Sequence, residues 1–203
     1  MAELSVWRRT VALAAAAALL TISGCHFESD KHGVKDNVNI STPFGGVHVR
    51  TNDDAVLESI GLASYPGAVL VQKRDNKGDD AADVDMHFGS FQLRVKAANY
   101  HTDDPIDTVE SFYRKDLSRY GDVIECRGQS TVGQTTKTLS GLTCGDSPHR
   151  RITVGDDPNK NQMELKAGSH SHQHIVTLQP DRGGTRFGLI VLDLPSDSGD
   201  KNQ

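Results

Sequence analysis

An α+β fold, mostly antiparallel β-sheet with one main amphipathic helix (about 105–120) packed on one face, is predicted by three features of this chain of 203 residues. Stretches of alternating apolar and polar residues recur along most of it. Only residues 105–120 carry apolar side chains convincingly at helical spacing. Strand segments follow one another instead of alternating with helices, which favours an antiparallel sheet over a doubly wound parallel one.

From residue 38 the pattern is that of strands. Residues 39–50 alternate on either side of a bend at Gly45-Gly46, and a related segment recurs at 84–94. Both contain Phe-Gly and a small residue, then Val47-His48-Val49-Arg50 in the first and Phe91-Gln92-Leu93-Arg94 in the second. This reads as a duplicated strand unit or as one turn chemistry used twice, and two copies are too few for a solenoid. Phe91, Leu93, Val95 and Ala97 alternate with Gln92, Arg94, Lys96 and Ala98, as in a half-buried strand. Tyr65-Pro66-Gly67-Ala68 is a turn feeding a short strand at 69–72, and 74–83 is a charged loop. In the helix, Asp104 is placed to cap the N-terminus, with Pro105 at the first helical position and Asp107 at the positive end of the dipole. Ile106, Val109, Phe112 or Tyr113, and Leu117 form its inward stripe, Glu110 and Arg114 pair outside, and Gly121 stops it. Strands are expected next at 123–126, 151–154, 162–167, 172–178 and 186–194; the last is almost continuously apolar and should be central. Residues 196–203 read as a frayed tail.

The N-terminus is organised differently. Arg8 and Arg9 precede an apolar run at 11–22 with five consecutive alanines, and Ile22-Ser23-Gly24-Cys25 closes it. That is the layout of a secretory signal, and the run is shorter than the roughly 20 apolar residues a membrane span needs. A cysteine at this point resembles the lipobox of bacterial lipoproteins. The resemblance implies that residues 1–24 are removed, that Cys25 becomes an acylated N-terminus, and that the chain is anchored in the cell envelope. His26 stands where that family, in enteric bacteria, uses aspartate to signal inner-membrane retention, which points to the outer membrane. Residues 25–37, polar and charged, read as a flexible tether, followed by one domain over 38–195.

Removal of residues 1–24 takes away Arg8, Arg9 and Glu3, so the net charge goes from −5 to −6. That excludes a broad basic surface for nucleic acid. Trp7, the one tryptophan, goes too, and with 5% aromatic residues the core is lean. Cys126 and Cys144 remain as an even pair in an oxidising compartment, where a bridge closing about 19 residues contributes roughly 3 kcal/mol. The segment between them is rich in Gly, Ser, Thr and Gln. The alternative, a nucleophilic or metal-binding cysteine, matches no common zinc spacing.

His170, His172 and His174 form the one suggestive cluster. A two-residue hairpin turn at Gly168-Ser169 would set His170 opposite Ala167, His172 opposite Leu165 and His174 opposite Met163, all on the apolar side. Three same-face residues span about 13 Å, too far for one ion, so a zinc or copper site would need a third ligand such as His48, His87 or His101. Rim packing and pH response are the other readings. The acidic stretches 75–80 and 155–159 do not follow the calcium-loop pattern and read as turns. Gly-x-Ser-x-Gly, a phosphate-binding glycine loop and His-Glu-x-x-His are missing from the sequence.

The Tyr65-Pro66-Gly67-Ala68 turn, followed by Val109-x-x-Phe112-Tyr113, Leu117 and Tyr120-Gly121, resembles a pattern in uncharacterised bacterial envelope proteins. Segment 40–53 and the Cys126/Cys144 pair also resemble hypothetical lipoproteins. The resemblance implies a fold and a location and transfers no catalytic residue. The expectation is therefore a lipid-anchored envelope protein, a non-enzymatic binding or structural module with a membrane contact and an envelope protein or polymer as partner. Its rivals are a metal-binding module on strand 170–174 and a small hydrolase.

Overall fold

The computed structural model describes residues 26–32, 35–50, 53–71, 81–146 and 162–195. The signal segment, Cys25, the strand expected at 151–154, the acidic stretches at 75–80 and 155–159, and the tail lie outside the described residues. Strands β1 (His26–His32), β2 (Lys35–Thr42), β3 (Gly45–Arg50), β4 (Val69–Leu70), β5 (Ala81–Phe88) and β6 (Phe91–Thr102) come first, with helix α1 (Asp53–Ile60) between β3 and β4. Helix α2 (Ile106–Leu117) follows, continued by a 3-10 turn at Ser118–Tyr120. Then come β7 (Ile124–Arg127), β8 (Ser130–Val132), β9 (Met163–Gly168), β10 (His172–Asp181) and β11 (Gly184–Asp193). They form one open sheet in the order β1-β2-β3-β5-β6-β11-β10-β9-β7-β8, every pairing antiparallel, with β4 extending the β5 lane along β6. The fold is α+β, mostly antiparallel sheet with one main helix.

The segment expected as a tether pairs instead. His26 to His32 matches Ser41 to Lys35 residue by residue, because backbone hydrogen bonds need no apolar side chains once a neighbouring strand is present. The 39–50 bend lies at Pro43-Phe44, two residues earlier than Gly45-Gly46, with Gly45 opening β3. The two related segments are neighbouring hairpins, β2–β3 and β5–β6, joined through β3–β5 pairing.

The helices cover one face of the β6-β11-β10-β9 region. Val109, Tyr113 and Leu117 of α2 are buried there with Val56 and Ile60 of α1, over Ala98, Tyr100, Leu165, Val176, Leu178, Phe187 and Leu189. Five aromatic rings knit this core. Tyr100 stacks on Phe187 at 5.3 Å, Tyr65 meets Phe112 edge-on at 5.0 Å, and Tyr113 lies 5.4 Å from Phe187. Arg114 pairs with Glu110 at 2.6 Å, as helical spacing predicts, and also reaches Glu125 on β7. Asp104 does not cap α2. Pro105 is the N-cap, and the Asp104 carboxylate instead accepts the Tyr65 hydroxyl at 2.6 Å, tying the Tyr-Pro-Gly-Ala turn to the helix start.

On the opposite face, Cys126 and Cys144 are at disulfide distance, with Cα atoms 5.6 Å apart, in a small cluster with Ile124 and Leu142. The bridge ties the strand-poor segment after β8 back to the sheet edge. Lys166 is fully buried beside it, its Nζ donating to the Thr143 carbonyl at 3.1 Å. Burial lowers the lysine pKa, opposed by Glu164 and Asp146.

Replacing Cys126 and Cys144 together by alanine is expected to cost about 3 kcal/mol, read as a lower urea midpoint. An unchanged midpoint would show that Ile124 and Leu142 hold this segment without the bridge.

Candidate interaction surface

The histidine strand was the obvious place for chemistry, and its geometry differs from the expected hairpin. The β9–β10 connection is a three-residue loop, 169–171, and the β9 ladder begins with Gly168 paired to Gln173, followed by Ala167 with His174 and Leu165 with Val176. Gly168 decides this register. Its φ is +105°, and a Cβ there would lie 2.2 Å from the His172 carbonyl oxygen, so only glycine permits the close approach. Ser169 N donates to that same oxygen at 2.9 Å. The shift preserves parity, so His172 and His174 still face the helix side, while Lys166 and Gln173 share the other.

The three imidazoles serve different neighbours. His170 sits in the loop, its Nδ1 3.3 Å from Asp146. His172 lies largely exposed, with Nδ1 2.8 Å from Asp193. His174 stacks flat on Tyr120, centroids 3.6 Å apart, and the Tyr120 hydroxyl donates to the Gly61 carbonyl at 2.7 Å. The other expected ligands are scattered. His101 is on the opposite face of β6, and His87 pairs with Gln92 and Gly46. His48 is four strands from His172, about 19 Å across the sheet, its Nε2 accepting from Arg50 Nε at 2.8 Å. Among the described residues no group of three or more His, Cys, Asp or Glu is close enough to hold a metal ion.

What lies between His172 and His48 is a charge ladder. The register sets His172, Asp193, Arg94, Asp85 and His48 in one cross-strand row on the helix side, and His174, Val191, Lys96, Asp83 and Arg50 in the next. Arg94 forms a salt bridge with Asp85, and Lys96 donates to the Ser59 carbonyl at the end of α1. Opposite charges directly across neighbouring strands stabilise a half-exposed sheet face modestly.

The reverse face of the same strands is apolar. Val95, Val84, Val49 and Val38 form one cross-strand row, and Leu93, Met86, Val47 and Ile40 the next, all half-buried. Phe91 and Phe88 complete a third row at 42% and 44% exposure, and Phe44 in the adjoining turn is 83% exposed. Phe112 and Phe187 belong to the helix-covered core, so three of the six phenylalanines of an aromatic-poor chain lie at the surface. Half-buried apolar rows that end in three exposed rings make this face the candidate interaction surface. Sequence reasoning saw the alternation of Phe91, Leu93 and Val95 but not that it points away from the helices. The repeated Phe-Gly turns were the signal that could have found the rim.

A shallow cleft of about 640 Å³ lies between the end of α2 and residues 138–140. Asp122 is the one carboxylate among its lining residues, and it accepts the Leu139 N–H at 3.0 Å.

Burial beside Tyr120 holds the His174 imidazole below its ordinary value near 6.5, outweighing the pull of Asp193 and Asp116 in the other direction. Arg119 and His172 lower it further. The unfolded chain therefore binds this proton more readily, and stability is full above the unfolded value and declines as pH falls through it. Thermal melts between about pH 7.5 and 5.5 should show a falling midpoint, and His174→Gln should flatten part of that slope. An identical slope in the variant would assign the effect elsewhere.

No model of a known protein family matches the chain, and neither does any curated protein or any solved structure.

Proposed function

We propose that this chain is a lipid-anchored cell-envelope protein, facing the periplasm or the cell surface, whose open sheet is a non-enzymatic binding surface. The observation that carries the binding role is the apolar face of β2, β3, β5 and β6, which the helices leave uncovered and which ends in Phe44, Phe88 and Phe91. Anchoring is supported by the basic start, the apolar run at 11–22 and Ile22-Ser23-Gly24-Cys25. The Cys126/Cys144 pair suits an oxidising compartment. An envelope protein or polymer is the partner class for the part of the face left free, and the net negative charge disfavours nucleic acid. Outer-membrane residence follows the same reading, from His26 after the cysteine.

A second reading, a periplasmic zinc or copper module, draws on His172 and His174 sharing one face with Asp193 in hydrogen-bond contact with His172. Calorimetric titration with each metal separates the two. Stoichiometric heat that disappears in His172→Ala and His174→Ala supports the metal module, and no heat in the unaltered protein removes it.

Growth with a palmitate analogue should label the protein in cells, and Cys25→Ser should abolish the label. Mass spectrometry of the purified protein should find an acylated Cys25 at the N-terminus. An intact, unmodified first residue would overturn the anchored reading.

A further inference from the structure

The apolar face terminates in two turns that act as one platform. The β2–β3 turn at Pro43-Phe44 and the β5–β6 turn at Gly89-Ser90 lie at the same end of the sheet, because Gly45 pairs with Phe88. Gly89 N donates to the Phe44 carbonyl at 3.2 Å, linking them, and Thr42 Oγ1 donates to the Gly45 carbonyl at 2.8 Å. Residues 42–45 and 88–91 contain no charged side chain. The platform thus exposes three aromatic rings, carries no charge, and satisfies part of its own backbone, so little must be desolvated to bury it in an apolar medium.

The chain itself shows where that medium is. His26 pairs with Ser41, so β1 begins at this same end of the sheet, and Cys25 is the residue before it. Strands stand about 4.8 Å apart, which puts the Phe88 position three spacings, about 14 Å, from the start of β1, and that of Phe91 about 19 Å away. A chain held by acyl groups at Cys25 has no tether to lift this end off the bilayer, since strand pairing starts at the next residue.

We propose that the Phe44/Phe88/Phe91 end of the sheet is seated in the interfacial layer of the lipid bilayer, beside the acylated Cys25, as a second, non-covalent membrane contact. The inference rests on the anchored reading above. The contact is apolar and uncharged, so zwitterionic lipid suffices and salt does not release it. It also orients the domain, holding the platform down and carrying the β9-β7-β8 edge away from the anchor.

The mature chain has no tryptophan, because Trp7 precedes Cys25, so single probes can be read by fluorescence. Phe44→Trp, Phe88→Trp and, as a control on the distant edge, Leu139→Trp are each made in the full chain together with Trp7→Phe, so that a chain keeping its first 24 residues also holds a single probe. The purified proteins are reconstituted into phosphatidylcholine vesicles with and without brominated acyl chains, and the N-terminal mass is recorded for each. Emission at positions 44 and 88 should shift to the blue and be lost in brominated vesicles, while that at 139 is unchanged. An acylated protein with no loss at 44 or 88 overturns the seated platform and leaves the anchor standing. A blue shift without bromine quenching would mean that a second copy or another protein covers the rings, which also overturns it. Quenching at 44 and 88 in a protein without acyl groups would keep the platform and remove the anchor, and neither acylation nor quenching would remove both. Matching thermal midpoints for the three variants establish that each is folded.

Discussion

Strand β6 is the element on which the two halves of the molecule depend, and its apolar face switches from one side of the sheet to the other midway. At its C-terminal end Ala98 and Tyr100 face the helices and enter the aromatic core. At its N-terminal end the same face carries Gln92, Arg94 and Lys96, while Phe91, Leu93 and Val95 occupy the reverse. One twelve-residue strand is thereby common to a helix-covered sheet and to an amphipathic wing of opposite polarity. Because β11 pairs with Arg94 to Thr102 and β5 with Phe91 to Ala98, both halves inherit their register from it.

The charge ladder explains why the wing does not fold its polar side under the helices. Arg94 is ion-paired with Asp85 across one strand boundary, and His172 is in hydrogen-bond contact with Asp193 across another. Lys96 reaches the last turn of α1 through the Ser59 carbonyl. Burying such a row would cost desolvation that surface pairs do not return, so the helices stop where it begins. The apolar rows are then left on the face the helices never reach.

Much of this was legible in the residues. Most of the strand positions between 38 and 195 among the described residues, α2 with its Glu110–Arg114 pair, and the proximity of Cys126 and Cys144 follow from period, charge spacing and cysteine arithmetic. What the sequence withheld has physical reasons. Alternation says that one face of a strand is apolar but not which side the helices take, so the half-buried stripe of Phe91, Leu93 and Val95 could not be assigned to either face. Helix α1 is only eight residues long, and its buried side chains include Val56 and Ile60, too few for a visible stripe. The polar β1 gains its place from β2, a long-range contribution no local propensity records. The histidine loop depends on a backbone approach at Gly168. The uncovered apolar face is a product of register, and register is the quantity a single sequence specifies least directly.

Strand β1 closes one margin of the sheet, and its sequence, His26-Phe27-Glu28-Ser29-Asp30-Lys31-His32, mixes both signs of charge. Charged side chains on a margin discourage a foreign strand from adding to it. Growth by strand addition is thus unfavourable on that side.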